Sequence, residues 1–334
     1  MSTIDDFVAA ARSAREVVPN EGVDLDAAGL RIRINLCGTK IVPVLGRGLL
    51  SSPPVGSPDS ELFAFDSTES GVPLPPPPWP AAAFHGRRQE IPGYVDPPRL
   101  AIYDLEHATL SYYDEDAASG VQWFRDAEKM MPGEGGSPLR NLLRWAYGQH
   151  DAHMLHLASA CGVLIGGPGG AGKSTSSLAC AIAGEAFTSD DFTLVTLGDT
   201  GPIAHAVYSC VKVTDSTLEL LPGLAELGEP AGLDWRAKHR FDLSDVIVRS
   251  QAVRAIVLPE LGERTGSPRP VAPAEALRRL TGGSLSVMTG ALGRSLAAIS
   301  ALLDELPAYA LTVGPDIDRI PGVLRELGAV GAAR

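Results

Sequence analysis

The residues best able to do chemistry in this chain are a glycine-rich run that ends in Lys173 and Ser174. The run fits the spacing GxxxxGK[ST], which is typical of loops that bind phosphate groups. Glycine permits backbone angles that other residues avoid, so successive N–H groups can turn toward one anion. A helix opened by such a loop adds the positive end of its dipole. This predicted phosphate loop consists of Gly167, Pro168, Gly169, Gly170, Ala171, Gly172, Lys173, Ser174 and Thr175.

The sequence on either side of the phosphate loop has the required character. Residues 161–165 are apolar and predict a strand, and residues 173–183 favour a helix. We therefore expect ATP or a related nucleoside triphosphate with Mg²⁺: Lys173 would reach the β- and γ-phosphates, and the Ser174 hydroxyl would bind the metal ion. The alternative, a glycine-rich turn with an incidental lysine, is disfavoured because strand, loop and helix agree. The motif predicts the ligand class and leaves the reaction open.

Two adjacent carboxylates, Asp190 and Asp191, follow one helix after the loop. Neighbouring side chains at a strand end project to opposite sides, so one carboxylate can bind Mg²⁺ while the other accepts a hydroxyl proton. Their mutual repulsion could raise the pKa of one of them. We predict both as catalytic residues together with Lys173, and Asp191 with Ser174 as metal ligands, although either aspartate could serve as the base. The alternative is a solvated turn.

Three further side chains are candidates for the same site. His156 precedes the strand that leads into the loop and could assist proton handling across a hairpin. A structural histidine is the alternative, because His150 and His153 stand nearby without an evident role. Lys238 and Arg240 could neutralise charge on a transferring phosphoryl group, or belong to a solvated basic loop.

These residues together resemble the HPr serine kinase/phosphorylase family over residues 156–195. That family has a histidine before a strand, a phosphate loop, a helix, and an Asp-Asp pair followed by an apolar strand, which here are His156, residues 167–174, and Asp190 with Asp191. The resemblance implies a fold shared with phosphoenolpyruvate carboxykinase and ATP-dependent phosphorylation of a serine hydroxyl. It also implies an auxiliary role for His156 in the active site.

The resemblance also bears on the substrate. Residues 1–136 do not resemble the N-terminal domain of the HPr kinases themselves, and the chain is more similar to HPr-kinase-like proteins found beside peptide-modification genes, such as lasso-peptide kinases. The acceptor expected from this is a serine of a peptide or protein, or a small hydroxyl compound, and a homo-oligomer is implied. Two other functions stay open: an NTP hydrolase or nucleotide switch, and a non-catalytic nucleotide-binding partner protein.

The first part of the chain predicts a β-rich domain. Residues 30–36 alternate apolar and polar side chains, as a half-buried strand does, and shorter candidates lie at 62–65, 100–103 and 109–113. A proline-rich stretch, residues 71–100, predicts a stiff connector or, alternatively, a docking ligand for an SH3-like partner. Ser137 and Pro138 predict the start of a helix that runs to Tyr147. We place the domain boundary before it, giving a domain of residues 1–136.

The second predicted domain, residues 137–334, alternates strands and helices. Beyond the phosphate loop we predict strands around 187–197 and at 255–258 and 309–313, helices at 274–280 and at the C-terminus, and a helix whose apolar stripe contains Leu292, Leu296, Ile299 and Leu303. Such alternation predicts an α/β fold with a covered sheet. The fold class expected is therefore an α/β P-loop domain of the HPr kinase/phosphoenolpyruvate carboxykinase type, preceded by a smaller β-rich domain.

Composition limits the partners and the location. The chain of 334 residues has a net charge of -12, which argues against nucleic acid as a partner because phosphate neutralisation needs clustered Lys and Arg. Its 4 cysteines are far apart and form no CxxC pair, so we predict neither a zinc site nor a disulfide framework. No secretory signal and no apolar run of about 20 residues is found, so we expect a cytoplasmic protein without a membrane segment.

Overall fold

The computed structural model describes residues 3–54, 56–80, 90–131, 133–233, 238–284 and 289–330. The chain divides into two compact units. The first comprises residues 1–150 with 288–292, and the second comprises residues 151–287 with 293–334. The fold is mixed α/β with several sheets, as the alternating pattern predicted.

The first unit is built on one mixed sheet. Its elements are α1 (Ile4–Val17), β1 (Asn20–Ala27), β2 (Leu30–Cys37), α2 (Ile41–Leu45), β3 (Ser60–Asp66), α3 (Ser67–Ser70), β4 (Arg99–Asp104), β5 (Thr109–Asp114), β6 (Ser119–Phe124) and α4 (Arg140–Gly148). Among the residues described, the strand order is β1-β2-β3-β6-β5-β4. The β2–β3 and β3–β6 pairs are parallel and the others antiparallel. The four strands predicted in this part of the chain are present within these elements.

Helix α1 was not predicted. Its buried side chains recur at helical spacing and pack with aromatic residues of β3, β5 and β6. The Asp6 carboxylate accepts a hydrogen bond of 2.7 Å from the Thr3 backbone N–H and so closes the first turn. The helical spacing of the apolar residues and the pairing of Thr3 with Asp6 can both be read from the sequence. The buried residues are Ile4, Phe7, Val8, Ala11 and Ala14.

The described part of the proline-rich stretch packs against the first unit's core. Trp79 is buried, with ring centroids 4.9 Å from Tyr94 and 5.7 Å from Tyr112, both edge-on. Val72 and Leu74 pack against the same cluster. This part of the stretch is therefore packed into the unit, whereas the sequence predicted a stiff connector, because its apolar side chains are buried against the core. Residues 81–89 of the stretch lie outside the described residues.

We expect Trp79→Ala to lower the free energy of unfolding by about 3–5 kcal/mol, the usual cost of emptying a buried Trp site. Denaturant unfolding of the full chain measures this loss. Leu105→Ala is the matched control, because Leu105 is 60% exposed and its truncation should cost less than about 0.5 kcal/mol. Equal effects of the two substitutions would contradict the packed arrangement.

Helix α4 begins at a later residue than predicted and belongs to the first unit instead of the second. It begins at Arg140, because Leu139 adopts a left-handed backbone with φ of 54°, so the helix does not start at Ser137 and Pro138. Leu142 packs on β6, where a Cβ atom added at Gly120 would come within 3.1 Å of it. This apolar face joins α4 to the first unit. The boundary between the units therefore follows His150 instead of Gly136.

The elements from residue 151 onward combine short strands with helices. They are β7 (Ala152–Leu155), β8 (Ala158–Ala160), β9 (Val163–Ile165), α5 (Lys173–Ile182), β10 (Phe187–Ser189), β11 (Thr193–Gly198), β12 (Gly201–His205), β13 (Cys210–Val213), α6 (Asp215–Leu220), α7 (Leu224–Leu227), β14 (Glu229–Leu233), β15 (His239–Asp242), β16 (Ser250–Ala252), β17 (Ala255–Leu261), β18 (Arg269–Val271), α8 (Pro273–Ser284), α9 (Leu292–Glu305), β19 (Ala308–Val313) and α10 (Ile320–Val330). No described helix is long and apolar enough to span a membrane.

The described strands of the second unit form three sheets. Their orders are β10-β8-β9-β17-β19-β18, β16-β12-β11-β7 and β13-β15-β14. Strands β9, β17 and β19 run parallel, and β9 is buried at every position, as strands covered on both faces are. The predicted strand 161–165 is shorter than expected, because Cys161 and Gly162 have positive φ and form the turn from β8 to β9. The predicted strands at 255–258 and 309–313 lie within β17 and β19.

Candidate functional site

The phosphate loop connects β9 to α5 at the carboxyl end of the parallel strands. Gly167, Gly170 and Gly172 have φ of 135°, 79° and 100°, a region that L side chains rarely adopt. At Gly172 an added Cβ would also lie 2.9 Å from Val313. At Gly169 and Gly170 it would meet nothing within 4 Å, so this part of the loop borders open space. A strand, a loop and a helix thus follow one another in these residues, in the order that the sequence predicted.

The Lys173 side chain folds back along the loop. Its Nζ atom donates to the carbonyl oxygens of Gly167 at 2.9 Å and of Pro168 at 3.2 Å. Burial lowers the pKa of Lys173, and the charges of Asp191 and Asp190 oppose that shift. The ammonium group therefore lies at the loop and within the field of both carboxylates.

The two aspartates lie between β10 and β11, where strand register brings them close to His156. Leu155 of β7 pairs with Thr193 of β11, and Ser159 of β8 pairs with Ser189 of β10. The residues between these pairs must face one another. His156 Nε2 is accordingly 2.8 Å from Asp191 Oδ1.

Asp190 lies on the side of the phosphate loop. It is 5% exposed, its Oδ2 accepts a hydrogen bond of 3.4 Å from the Lys212 backbone N–H, and the Ser174 side chain is close enough to act on its pKa. Burial and then the charge of Asp191 raise the pKa of Asp190, and the Ser174 hydrogen bond opposes the rise. Among the residues that the structure describes, Oδ1 of Asp190 has no hydrogen-bond partner. A buried carboxylate oxygen of this kind needs a donor or a cation.

Asp191 has a different environment. Its Oδ2 is 3.0 Å from the Lys212 ammonium, and its Oδ1 faces His156. Burial alone would raise the pKa of Asp191, but Lys212 and then His156 hold that pKa well below its usual range. Asp191 therefore stays ionised at neutral pH. Because the environments of the two carboxylates differ, Asp191 is suited to remain charged without a metal ion and Asp190 is not.

Two contacts of His156 keep its ring oriented. Its Nδ1 is 3.1 Å from the carbonyl oxygen of Gly283, at the end of α8, and its ring stacks on Phe192 at 5.2 Å. Both ring nitrogens face oxygen acceptors, so the arrangement is fully hydrogen-bonded when both carry a proton. Gly283 is close to the phosphate loop as well: a Cβ added there would lie 2.4 Å from the Gly167 carbonyl oxygen. His150 and His153 are not part of this arrangement. His150 is exposed and is the last residue before the second unit begins. His153 lies opposite Val195 in the pairing of β7 with β11.

The basic residues come from the third sheet. Lys212 on β13 is a site residue that the sequence analysis missed, because nothing in its strand distinguishes it from a solvated lysine. Lys238, just before β15, acts electrostatically on Asp190 and Lys173. Arg240 stands opposite Lys212 in the β13–β15 register, and its charge acts on Cys210, whose pKa burial raises to about 11. Residues 234–237, which precede Lys238, lie outside the described residues.

The residues present fit a magnesium nucleotide. Ser174 and Asp190 place a hydroxyl and an unpartnered carboxylate oxygen together beside the loop, and Mg²⁺ prefers such oxygen ligands. No group of three or more His, Cys, Asp or Glu in the described part of the chain could hold a metal ion. Mg²⁺ in nucleotide sites takes one or two protein ligands and completes its shell with water and phosphate, so Ser174 and Asp190 would suffice.

Comparison with known proteins gives a weak similarity to solved structures. No protein-family model and no curated protein matches the chain. Among solved structures, the chain is similar to the Hpr(Ser) kinase/phosphatase from Coxiella burnetii, with 14% sequence identity over 52% of this chain and 93% of that one, at a TM-score of 0.28. A TM-score this low carries no conclusion about activity. The fold is that of a mixed α/β protein, and the sequence contains a phosphate-loop motif.

Proposed function

We propose that this chain is a Mg²⁺-dependent phosphotransferase that moves the γ-phosphate of ATP to a hydroxyl group. The observation that carries the proposal is the difference between the environments of Asp190 and Asp191 beside the phosphate loop. A site that only bound nucleotide would not need a second, permanently ionised carboxylate held by His156 and Lys212. The resemblance to the HPr kinase family supports a serine of a peptide or protein as the acceptor.

The loop and its lysine bind and orient the triphosphate. The backbone N–H groups of residue 167 and of residues 169–174 would surround the phosphates, and Lys173 would exchange its two carbonyl contacts for phosphate oxygens. Lys238 adds positive charge close to the same place. When Mg²⁺ is bound it neutralises charge on the β- and γ-phosphates. Most of the rate enhancement then comes from positioning and from fixed charge, because phosphoryl transfer needs little covalent work from the protein.

The roles of the two aspartates follow from their contacts. Asp190 with Ser174 would hold the metal ion, which reverses our sequence-based assignment of Asp191 to the metal. Asp191 would accept the proton of the attacking hydroxyl, as the carboxylate of a kinase catalytic loop does. His156 and Lys212 would hold that carboxylate in place and keep it ionised.

Lys212→Met tests the positioning role of Lys212. Loss of the ammonium releases one oxygen of Asp191, so we expect kcat to fall about 10- to 100-fold with little change in the KM for ATP. Steady-state kinetics measure both constants. Lys129→Met is the matched control, because that side chain is 78% exposed and its loss should leave both unchanged. A large rise in KM with kcat intact would show that Lys212 binds nucleotide instead.

The fate of the γ-phosphate tests the function. The chain is incubated with Mg²⁺ and ATP labelled at the γ-phosphate, together with a serine-containing peptide library or a size-fractionated extract of the source cells. A labelled peptide or protein that is absent with Asp191→Asn is the expected result. Release of labelled free phosphate alone, equally with and without acceptor, would instead identify a hydrolase or switch.

A further inference from the structure

The second unit contains a cavity of about 600 Å³ that the nucleotide site does not use. The cavity lies at the amino ends of β17 and β19, beside the end of α9 and the start of α8. The phosphate loop follows the carboxyl end of β9, which runs parallel to β17 and β19, so the two sites lie at opposite edges of one sheet. Strand β17, with 7 residues, spans roughly 20 Å between those edges. A volume of roughly 300–1,000 Å³ is typical of small-molecule sites.

The walls of the cavity are mostly apolar. Prolines contribute several of them, and a proline has no backbone N–H to offer a hydrated ligand. The neighbouring valine and leucine side chains belong to the packed interior of the unit. A ligand with an apolar body therefore gains from burial here. The apolar lining includes Pro202, Val253, Pro270, Leu303, Leu306 and Leu327.

Of the described residues that line the cavity, Arg254 alone carries a positive charge. Its guanidinium group lies over Gly201, which lines the same cavity: a Cβ atom added at Gly201 would be 3.6 Å from Arg254 Nη1. The Arg254 backbone N–H donates to the Gly162 carbonyl oxygen at 2.8 Å and so fixes the start of the side chain. The guanidinium group forms no hydrogen bond or ion pair with any described residue. Its N–H donors are therefore available to an anionic group in the cavity.

Uncompensated negative charge lies at the end of α9. Asp304 and Glu305, both exposed, line the same cavity, and α9 has no basic residue in its last turn to balance the negative end of its dipole. The Ile256 N–H donates to the Pro307 carbonyl oxygen at 2.9 Å, which brings this end of α9 close to the chain at Arg254. Nevertheless, in the part of the chain that the structure describes, neither carboxylate forms an ion pair with the guanidinium group. Opposite charges thus line one cavity without neutralising each other.

We propose that this cavity binds an apolar α-amino acid. The paired N–H donors of Arg254 hold its carboxylate, and Asp304, Glu305 and the end of α9 attract its ammonium group. The apolar side chain packs against the proline-lined walls. A simple organic anion would bring a further negative charge to the two acids, and an amine would bring a further positive charge to the arginine, so a zwitterion matches the charges on both sides. The proposal does not depend on the function of the phosphate loop.

Isothermal titration calorimetry on the full chain tests the proposal with three probes of one apolar shape. L-Leucine has both charges, 4-methylpentanoate lacks the ammonium group and 3-methylbutylamine lacks the carboxylate. Saturable binding of L-leucine is the expected result. Each of the other two probes should bind about 10- to 100-fold more weakly, the usual effect of losing a hydrogen bond to a charged group. The proposal is overturned if L-leucine does not bind, or if all three probes bind equally well.

Variants of the charged residues locate the binding site. Arg254→Met should weaken L-leucine binding by about 10- to 100-fold and leave 3-methylbutylamine unaffected, because that probe has no carboxylate. The double variant Asp304→Asn/Glu305→Gln should weaken L-leucine and not 4-methylpentanoate; its exposed positions preserve the test if Arg254→Met does not fold. Arg278→Met is the control, since Arg278 is an exposed arginine of α8 outside the cavity lining. Wild-type affinity for L-leucine in folded Arg254→Met, or in the double variant, would overturn the proposal.

Discussion

Asp191→Asn is expected to lower the rate of phosphoryl transfer by about 10²- to 10⁴-fold, the usual contribution of a general base. The substitution keeps the size of the side chain and removes its charge. Asparagine cannot accept the proton of the attacking hydroxyl, and it leaves Lys212 without its ion-pair partner at 3.0 Å. Binding of the magnesium nucleotide should stay within about threefold, because Asp190 and Ser174 are unchanged. Rapid-quench measurement of labelled transfer gives the rate directly.

Asp199→Asn is the control for this substitution, since Asp199 is an exposed carboxylate in the same unit. It should transfer phosphate at the wild-type rate. Thermal unfolding of both variants checks that the loss is not one of folding. If Asp191→Asn transfers phosphate at the wild-type rate, Asp191 is not the general base.

Lys173→Met is expected to weaken ATP binding by about 2–5 kcal/mol, roughly 30- to several thousand-fold, the cost of removing one partner from a buried charge pair. Methionine keeps the apolar stem that fills the site below the loop. The folded chain should be no less stable, because the burial that lowers the pKa of Lys173 disfavours its charge before nucleotide binds. Isothermal titration calorimetry with MgATP measures the loss.

Lys129→Met is again a suitable control, because it removes one positive charge from an exposed position. It should bind MgATP with the wild-type Kd. An unchanged Kd in Lys173→Met would mean that the loop does not hold the phosphates, whatever its geometry, and would remove the basis for the catalytic roles of its neighbours.

The order of strand, glycine-rich loop and helix was predictable because its requirements are local. Strand β9, the glycines with positive φ and helix α5 follow one another in sequence, so the backbone freedom of glycine can be read from the motif itself. Asp190 and Asp191 were proposed for a similar reason, because they follow the helix of the loop closely in sequence. The predicted helix at 173–183 agrees with α5 to within one residue.

The partners of these residues were not predictable, because they depend on contacts between distant segments. Lys212 reaches Asp191 from another sheet, and Gly283 reaches His156 from the end of α8, 127 residues along the chain. The different environments of the two aspartates arise from those contacts. No local pattern could show which carboxylate would lie beside Ser174. Helix α1 was not predicted, although its apolar residues recur at helical spacing in the sequence.

The nucleotide site itself is tested most directly by titrating ATP into the wild-type chain and into Asp190→Asn, each with Mg²⁺ and with EDTA. We predict that wild type binds ATP more tightly with Mg²⁺ than with EDTA, and that this difference disappears in Asp190→Asn because the metal ion loses its carboxylate ligand beside Ser174. Wild-type protein that fails to bind ATP, or that binds it equally well without Mg²⁺, would contradict the proposed site.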